Sequence, residues 1–445
     1  MAATTAAATR VDSSLFPGWR RNLAFIWIGV FVGLLGAQFV FPFIPFYIRD
    51  LGVSEKSQVS LYSGLTASAA GLSLTITAPI WGSLADRFGR RPMLIRALIG
   101  AGLLIALMGL VQAVWQLILL RFLMGAFAGT MGAAAALVAA TTPRERVGYA
   151  MGTLQTGVFM ANMLGPVAGG LVAASLGIRQ SFIFCAALYL IAGTLVFFFV
   201  KEPKVARTPA SGNTQGEGLV ANLKVVVRER QIVLMLGFLF VLWLSTTFVR
   251  PVMPISIDDY ALPHAEASNA RDNLVRLRLP PIPGVRSVFT PKEESATGLV
   301  FGIIGLTSTV AALTVSRVGQ RLGYRNCVTF AAVMTGLLYI PVAMAGTFTA
   351  FLLFFGAVGL FQGAMVPGTN ALIAASVPEG KQGSAFGLAA SMQSLALLVG
   401  PLGGGFVAGV FGIKSVYVII GIVLMIAAVA GRVWIREPDV FKESY

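Results

Sequence analysis

Arg121 is the only charged residue near the middle of any apolar segment that is long enough to cross a membrane. An arginine at that depth costs at least about 2.5–3.5 kcal/mol, so its guanidinium group is expected to face the interior or a wet cavity. Arg250 stands near the end of a later apolar segment, and no Asp or Glu lies in the middle of any such segment. An interior of this kind favours anionic, zwitterionic or neutral ligands over polycations.

The residue sets of hydrolytic, redox or metal chemistry are missing from the apolar segments. They contain no acid pair and no Ser–His or His–Asp set, and the lone histidine, His264, lies in a polar stretch. Cys185 and Cys327 have no neighbours suited to a metal site. No G-x-x-x-x-G-K-[ST] phosphate loop is present, so ATP is not the energy source. We therefore expect no enzyme activity and no cofactor.

Composition and apolar runs predict an all-α polytopic membrane protein. The chain is 56% hydrophobic and 11% charged, whereas soluble domains carry about a quarter charged residues. Apolar stretches of membrane-spanning length recur along almost the whole chain. We predict helices at 22–49, 58–84, 92–112, 114–140, 149–176, 181–200, 230–257, 295–318, 326–346, 347–376, 384–411 and 414–435.

The net charge of +15 is distributed as in a membrane protein, not as on a surface that binds nucleic acid. Fifteen Lys and Arg residues fall in the connections on one side, for example at Arg20, Arg21 and Lys201. The short connections on the other side hold only Arg49, Lys56, Arg179 and Lys414. The positive-inside rule then places both termini in the cytoplasm, with the first span as the insertion signal.

The chain consists of two similar halves. A set of glycines and a proline that begins at Gly148 recurs 235 positions later, beginning at Gly383. Each half has six predicted spans in the same order, which indicates a parallel repeat about an axis along the membrane normal. The predicted domains are a tail (1–20), a six-helix bundle (21–200), a linker (201–229), a second six-helix bundle (230–435) and a second tail (436–445).

The second half carries an insertion outside the membrane at about 258–294. The offset between the halves is 209 residues before this point and 234 after it, so about 25 residues are additional. The segment is polar and contains five prolines. We expect a solvated loop, with a substrate lid or a partner site as the alternative.

Four motifs carry a resemblance to the major facilitator superfamily, over about 20–435. The first is the loop GSLADRFGRR, with its degenerate partner SRVGQRLGYR in the second half. The others are Arg121 in LILLRFLMGAFAG, the helix 5 motif G-P-x-x-G-G and the helix 1 ending PFIPFYIRDLG. Together they are similar to multidrug efflux proteins of the twelve-span drug:proton antiporter branch. The resemblance implies the major facilitator fold and no cofactor other than a coupling proton.

The resemblance also implies gating and coupling roles. Asp86 would lie against the start of helix 11 near Gly383 and close the cytoplasmic side, since a carboxylate is stabilised at a helix N-terminus. Arg121 would serve proton transfer or anion attraction, and a structural hydrogen-bond donor is the alternative. The predicted gating and coupling residues are Gly82, Asp86, Arg87, Gly89, Arg90, Arg91 and Arg121.

Helices 5 and 11 share the G-P-x-x-G-G motif, which would kink each helix and pack it closely against the other half. We interpret it as a hinge and sealing element at Gly165, Pro166, Gly169, Gly170, Gly400 and Pro401. The fold implies that helices 1, 4, 7 and 10 line the substrate path. The predicted cavity residues are Gln38, Phe39, Trp243, Thr247, Arg250, Gln362 and Met365.

These expectations combine into a secondary transporter of the plasma membrane, that of a bacterial inner membrane. It would be a monomer that exports small amphipathic or anionic compounds by alternating access. Exchange for protons would rest on Asp86, Asp50 or the Arg121 network. The alternatives are a carrier for an organic anion, sugar or lysolipid, with or without proton coupling, and a membrane receptor or scaffold without transport.

Overall fold

The computed structural model describes residues 18–143, 146–202, 229–260, 275, 277–278, 288–289, 291–377 and 382–438. Within these ranges, 12 helices are long and apolar enough to cross a membrane, which confirms the predicted class. We number them spans 1 to 12. Their helices are Trp19–Val40 with Ile44–Asp50 (span 1), Lys56–Phe88 (span 2), Arg90–Met108 (span 3), Val114–Phe127 with Thr130–Thr141 (span 4), Val147–Leu176 (span 5), Ile178–Phe199 (span 6), Arg230–Val249 (span 7), Glu293–Leu322 (span 8), Tyr324–Met344 (span 9), Phe348–Ser376 (span 10), Gln382–Phe411 (span 11) and Ile413–Trp434 (span 12).

Three helices that were predicted to be continuous are interrupted. Span 1 passes through a short 3-10 turn at Phe41–Phe43, and the helix of span 7 ends at Val249 instead of 257. Pro42 and Pro251, which are 209 residues apart, explain both breaks because proline has no N–H to continue the ladder. Span 4 is broken at Ala128–Gly129, where Gly129 has φ +111°, a conformation that only glycine adopts readily.

Because the number of described spans is even, the start of span 1 and the end of span 12 lie at one end of the bundle. We call this the terminal end, and the opposite one, where span 1 ends and span 2 begins, the far end. Each half has its own apolar core, one built on spans 1 to 6 and the other on spans 7 to 12. The two bundles are therefore packed around largely separate cores and meet across an interface, where Ile255 of the second half is buried against the first core.

A pair of repeated glutamates fixes the terminal end of each bundle. Glu202 accepts hydrogen bonds from the backbone N–H of Arg90 (3.0 Å) and Arg91 (2.9 Å), the first two residues of span 3. In the other half, Glu437 accepts from Tyr324 (2.7 Å) and Arg325 (2.8 Å), the first two residues of span 9. Each carboxylate thus neutralises the positive end of a helix dipole.

The glycine that precedes each of these helices makes the turn possible. Gly89 and Gly323 have φ +102° and +83°, so a residue with a side chain would be strained at either position. A Cβ at Gly89 would also lie only 3.0 Å from a carboxylate oxygen of Glu202. The recurring loop glycine therefore serves the cap.

The described part of the insertion at the far end packs against the second bundle. Strands Leu277–Arg278 and Val288–Phe289 pair antiparallel, and Val275 and Leu277 are buried against the second core. The expected solvated loop is thus anchored by alternating apolar residues, while His264 lies outside the described residues. Before it, Tyr260 donates to the carbonyl of Ala345 at 3.0 Å. Burial, with a smaller effect of Asp259, raises the pKa of Tyr260 to about 12, so the phenol remains a donor.

The two halves meet most closely along two helix pairs, span 2 with span 11 and span 5 with span 8. A Cβ at Gly64 would overlap the carbonyl of Pro401, and one at Gly298 would lie 2.5 Å from that of Pro166. These two contacts are equivalents in the repeat. Close backbone approach through glycine is the usual way for membrane helices to associate, since lipid offers no hydrophobic driving force between them.

We predict that Glu437→Gln lowers the stability of the protein, because the cap of span 9 loses its charge. A charge-assisted hydrogen bond contributes about 1.5–3 kcal/mol, so the melting temperature of the purified protein should fall measurably. Glu202→Gln should also lower the stability, because Glu202 caps span 3 in the same way. Glu229→Gln is the control, because Glu229 precedes span 7 and forms no side-chain cap there. Equal melting temperatures for Glu437→Gln and Glu229→Gln would contradict the capping role.

Candidate functional site

A cavity of about 270 Å³ lies between the two halves, near the middle of the bundle. One half contributes spans 1, 2 and 4, and the other contributes spans 7, 8 and 11. Arg250 and Pro251, which also line the cavity, lie between span 7 and the short helix Met253–Ser256. The lining residues are Gln38, Phe41, Pro42, Ile44, Pro45, Ser63, Ala67, Ala70, Gly71, Leu74, Arg121, Met124, Gly125, Ala128, Thr247, Arg250, Pro251, Phe301, Leu397 and Pro401.

Arg121 enters this cavity from the first helix of span 4. Its side chain is 8% exposed, and its Nε donates to the carbonyl oxygen of Thr66 at 3.4 Å. The guanidinium carbon lies 4.2 Å from the ring centre of Phe41. A cation over an aromatic face gains about 0.5–2 kcal/mol, which offsets only part of the cost of removing the charge from water.

Arg250 reaches the same cavity because the helix of span 7 ends just before it. Its Nη2 donates to Oε1 of Gln38 at 3.3 Å, across the interface between the halves. The amide of Gln38 in turn donates to Asn162 of span 5. Arg250 is exposed to the cavity, whereas Arg121 is buried in its wall.

The cavity is therefore electropositive. It is lined by two arginines and by no Asp or Glu, and the ion pairs of the described residues all lie at the far end. Among the described residues, each guanidinium group makes a single hydrogen bond of its five possible ones. The remaining donors and the two positive charges suit an anionic group, and the apolar remainder of the lining suits a hydrophobic body.

The other predicted cavity residues lie elsewhere. Phe39 is 2% exposed and stacks on Phe184. Met365 is fully buried, and Gln362 donates to the hydroxyl of Thr246 at 2.9 Å, which joins span 10 to span 7. Trp243 packs on the core of the second half. Gln38, Thr247 and Arg250 are thus the predicted residues that this cavity brings together with Arg121.

Two residues that sequence reasoning did not select hold the break in span 4. Trp81 donates to the carbonyl of Ala126 at 2.6 Å, and Arg96 donates to that of Ala128 at 3.4 Å. The Arg96 guanidinium lies 3.3 Å from the ring centre of Trp81. These groups satisfy carbonyls that the break leaves free, so they position the helix that carries Arg121. The only sequence signal was an arginine within predicted helix 3.

Ion pairs between the two halves close the far end. Arg49 at the end of span 1 pairs in a bidentate manner with Asp258, which follows span 7, and lies 3.8 Å from Glu293 of span 8. Lys56 contacts Asp259 at 3.0 Å and Asp258 at 3.7 Å. Bidentate arginine–carboxylate pairs are strong and geometrically specific. This cluster of ion pairs therefore links the two halves on the far-end side of the cavity.

The G-P-x-x-G-G motif contributes to the same closure. Gly165 and Gly169 pack on span 1 of their own half, whereas the carbonyl of Glu294 lies 2.6 Å from the position of a Cβ at Gly170. In span 11, Gly400 and Gly404 likewise pack on span 7. Pro166 and Pro401 lie inside continuous helices. The carbonyl of each proline contacts a glycine of the opposite half. The predicted hinge is thus a two-sided packing surface.

The loop after span 2 is held to its own half. Arg90 donates to the carbonyl of Ala136 at 3.3 Å, and Arg91 donates to that of Phe197. Arg87 is exposed and lies over the ring of Phe88. The structure gives the helical backbone at Gly82, at Asp86 and at 382–384, where span 11 begins, but does not describe their side-chain surroundings. The predicted contact of Asp86 therefore stays a prediction.

Toward the terminal end, the close approaches between the halves cease. Among the described residues, the interhalf hydrogen bonds, ion pairs and glycine contacts lie between the middle and the far end. Nearer the terminal end, a Cβ at Gly152 of span 5 or Gly387 of span 11 would meet no atom within 4 Å. The cavity is thus closed at the far end by a wall of helices and ion pairs.

We predict that Arg49→Gln weakens this closure, because the bidentate pair contributes about 1.5–3 kcal/mol. The closed-to-open ratio should fall about ten-fold or more. Electron paramagnetic resonance distances between spin labels at Ser54→Cys and Lys414→Cys, with Cys185 and Cys327 replaced, should show an added longer component. Arg179→Gln is the matched control, since Arg179 is at the same end and bonds within its own half. Indistinguishable distance distributions would exclude the ion pair as a closure.

Comparison with known proteins agrees with this architecture. The sequence model of the Major Facilitator Superfamily matches residues 26–270 and 289–444. The chain is 30% identical over 411 residues to the multidrug resistance protein MdtG of Salmonella paratyphi C, covering 91% of this chain and 93% of that protein. Two solved structures share the fold, the nucleoside transporter NupG (TM-score 0.67, 13% identity, 92% and 98% coverage) and a bacterial homologue of the human lysosomal transporter Spinster (TM-score 0.70, 12% identity, 94% and 98% coverage). The expectations of a secondary transporter and of no enzyme activity are thereby confirmed, and the chain belongs to the Major Facilitator Superfamily.

Proposed function

We propose that this protein exports small amphipathic compounds with an anionic group by alternating access, in exchange for protons. The observation that carries the proposal is the placement of Arg121 and Arg250 in one cavity without a carboxylate. The name of its relative MdtG, a multidrug resistance protein, supports the export of drug-like molecules. The apolar lining around the two arginines would hold the body of such a compound.

The proposed orientation has both termini in the cytoplasm and the protein in a bacterial inner membrane. The basic connections at the terminal end support it through the positive-inside rule. In this orientation the far-end ion pairs face the exterior, and the conformation corresponds to one that is closed to the outside. We propose that the protein works as a monomer, because each chain already supplies both halves of the cavity.

Proton exchange is proposed to depend on a carboxylate outside the cavity, since the described lining contains none. Asp86 is the candidate, because in the outward-facing state it would lie at the start of span 11 and its protonation would weaken that contact. A second candidate function is an organic-anion carrier without proton coupling, which the two arginines support equally well. The two functions are distinguished by whether flux depends on an imposed pH gradient.

We predict that transport in proteoliposomes favours an anion over matched compounds of the same shape. Wild-type flux should be highest for 4-butylbenzoate, lower for 4-butylbenzamide and lowest for 4-butylbenzamidine. Arg250→Gln should reduce 4-butylbenzoate binding about ten- to a hundred-fold, because a charge-assisted contact is lost. Arg179→Gln, outside the cavity, should leave it unchanged. Preferred transport of the amidine would overturn the anionic substrate while leaving the transporter itself in place.

We predict that Asp86→Asn slows transport driven by a pH gradient about five- to thirty-fold, as expected when about 1–2 kcal/mol of gate stabilisation is lost. Membrane expression should be normal. Asp50→Asn is the comparison, because Asp50 is the other acid considered for proton binding and lies at the far end. Wild-type gradient dependence in Asp86→Asn, with loss in Asp50→Asn, would move the coupling site to the far end.

A further inference from the structure

An apolar groove of about 520 Å³ runs along the outer surface of the C-terminal half, between spans 8 and 9 with span 10 as its floor. It is separate from the central cavity and has no part in the proposed transport cycle. The groove residues are Ala311, Thr314, Val315, Val318, Leu322, Asn326, Cys327, Phe330, Ala331, Leu360, Phe361 and Ala364.

The same place in the N-terminal half is filled. With the repeat offset of 234, Val315 corresponds to Trp81 (81 + 234) and Phe330 to Arg96 (96 + 234). Arg96 lies directly over the Trp81 ring, whose centre is 6.4 Å from that of Phe127. In the C-terminal half the smaller valine leaves this space open. The groove is therefore a feature of this half and not a consequence of the fold.

Two arginines stand at the terminal end of the groove. Arg317 and Arg321 are one helical turn apart on span 8, three residues after the groove residues Thr314 and Val318, so they share the face of the helix that borders the groove. Both are exposed. Among the described residues, neither forms an ion pair. Their charges are thus available at the level where this end of the bundle meets the membrane surface.

The interior of the groove offers no polar group to a ligand. The hydroxyl of Thr314 donates to the carbonyl of Val310 at 2.9 Å within its own helix. Asn326, at the terminal end, donates its amide nitrogen to the carbonyl of Leu322 at 2.9 Å. A long apolar slot below two free cations matches an alkyl chain with an anionic head, and not a compact drug with distributed polar groups.

We propose that this groove binds an anionic phospholipid, with one acyl chain between spans 8 and 9 and the phosphate at Arg317 and Arg321. Each surface arginine attracts an anionic lipid by a factor of about five. The groove opens on the side of the bundle that faces lipid, so the ligand is present at high concentration without any entry path. A bound chain would fill the contacts that Trp81 and Arg96 make in the other half.

Cys327 provides a direct probe of occupancy. It lines the groove and is partly exposed, whereas Cys185 is fully buried, so the unmodified protein has one reactive thiol. Alkylation of Cys327 by N-ethylmaleimide should be at least about five-fold slower in nanodiscs of phosphatidylglycerol than in nanodiscs of phosphatidylcholine. Native mass spectrometry of the same samples should show one retained phosphatidylglycerol.

Two variants test the two parts of the site. Arg317→Gln with Arg321→Gln should remove the difference between the lipids, because the head is no longer attracted. Val315→Trp, which copies the N-terminal half, should slow alkylation equally in both lipids and abolish lipid retention. Arg432→Gln, an exposed arginine of span 12, should retain the wild-type difference.

Equal alkylation rates of the wild type in the two lipids would overturn the proposal. So would retention of phosphatidylglycerol by the double arginine variant at the wild-type level. Should Val315→Trp fail to fold, the arginine variant and the comparison of lipids still decide the matter. None of these measurements depends on transport, so the outcome is independent of the proposed substrate.

Discussion

The desolvation of an arginine in the middle of a membrane protein is the constraint on which the central site depends. Arg121 is buried in the cavity wall with one hydrogen bond to a backbone carbonyl and a contact with the Phe41 ring. Those contacts do not replace the hydration of a full charge. The bundle therefore needs water or an anion beside Arg121, and a cavity between the halves can supply both. Arg250, from the opposite half, places a second charge with the same requirement in this cavity.

The internal duplication accounts for the packing that the two halves share. The positions at which the halves differ are those with a specific role. The glycine contacts of spans 2 and 5 with the opposite half repeat, as do the glutamate caps at Glu202 and Glu437. By contrast, the position of Arg121 corresponds to Phe355 (121 + 234), which is buried among the rings of Tyr339 and Tyr417. One half thus has a charge where the other has an aromatic ring, so the two bundles share a fold while only one carries the deep charge.

Local pattern was sufficient for the twelve spans, because apolar length in a bilayer leaves the backbone little choice but a helix. The repeat also indicated Gln38, Thr247 and Arg250, which line the cavity next to the proline breaks of spans 1 and 7. Gln362 and Met365 do not line this cavity, because the rotation of span 10 is set by its packing on spans 7 and 8, which periodicity alone does not specify. Local pattern gave no signal for the pair of Arg49 and Asp258, because the two residues are 209 positions apart in the chain. The caps did have a signal, the repeated Glu-Pro after spans 6 and 12.

The two arginines also connect binding to the movement of the halves. Arg121 belongs to one bundle and Arg250 to the other, and Gln38 bridges from span 1 to both Arg250 and Asn162. Without a ligand, two like charges in one cavity repel each other and favour separation of the bundles around it. An anion between them reverses the sign of that interaction, so it binds more tightly to the conformation in which they are close. Such a difference in affinity is the only means by which a ligand can shift a conformational equilibrium. Asp258 of the far-end closure follows Arg250 by eight residues, with Pro251 and Pro254 between them, so one short segment that prolines stiffen joins the cavity to the ion pairs.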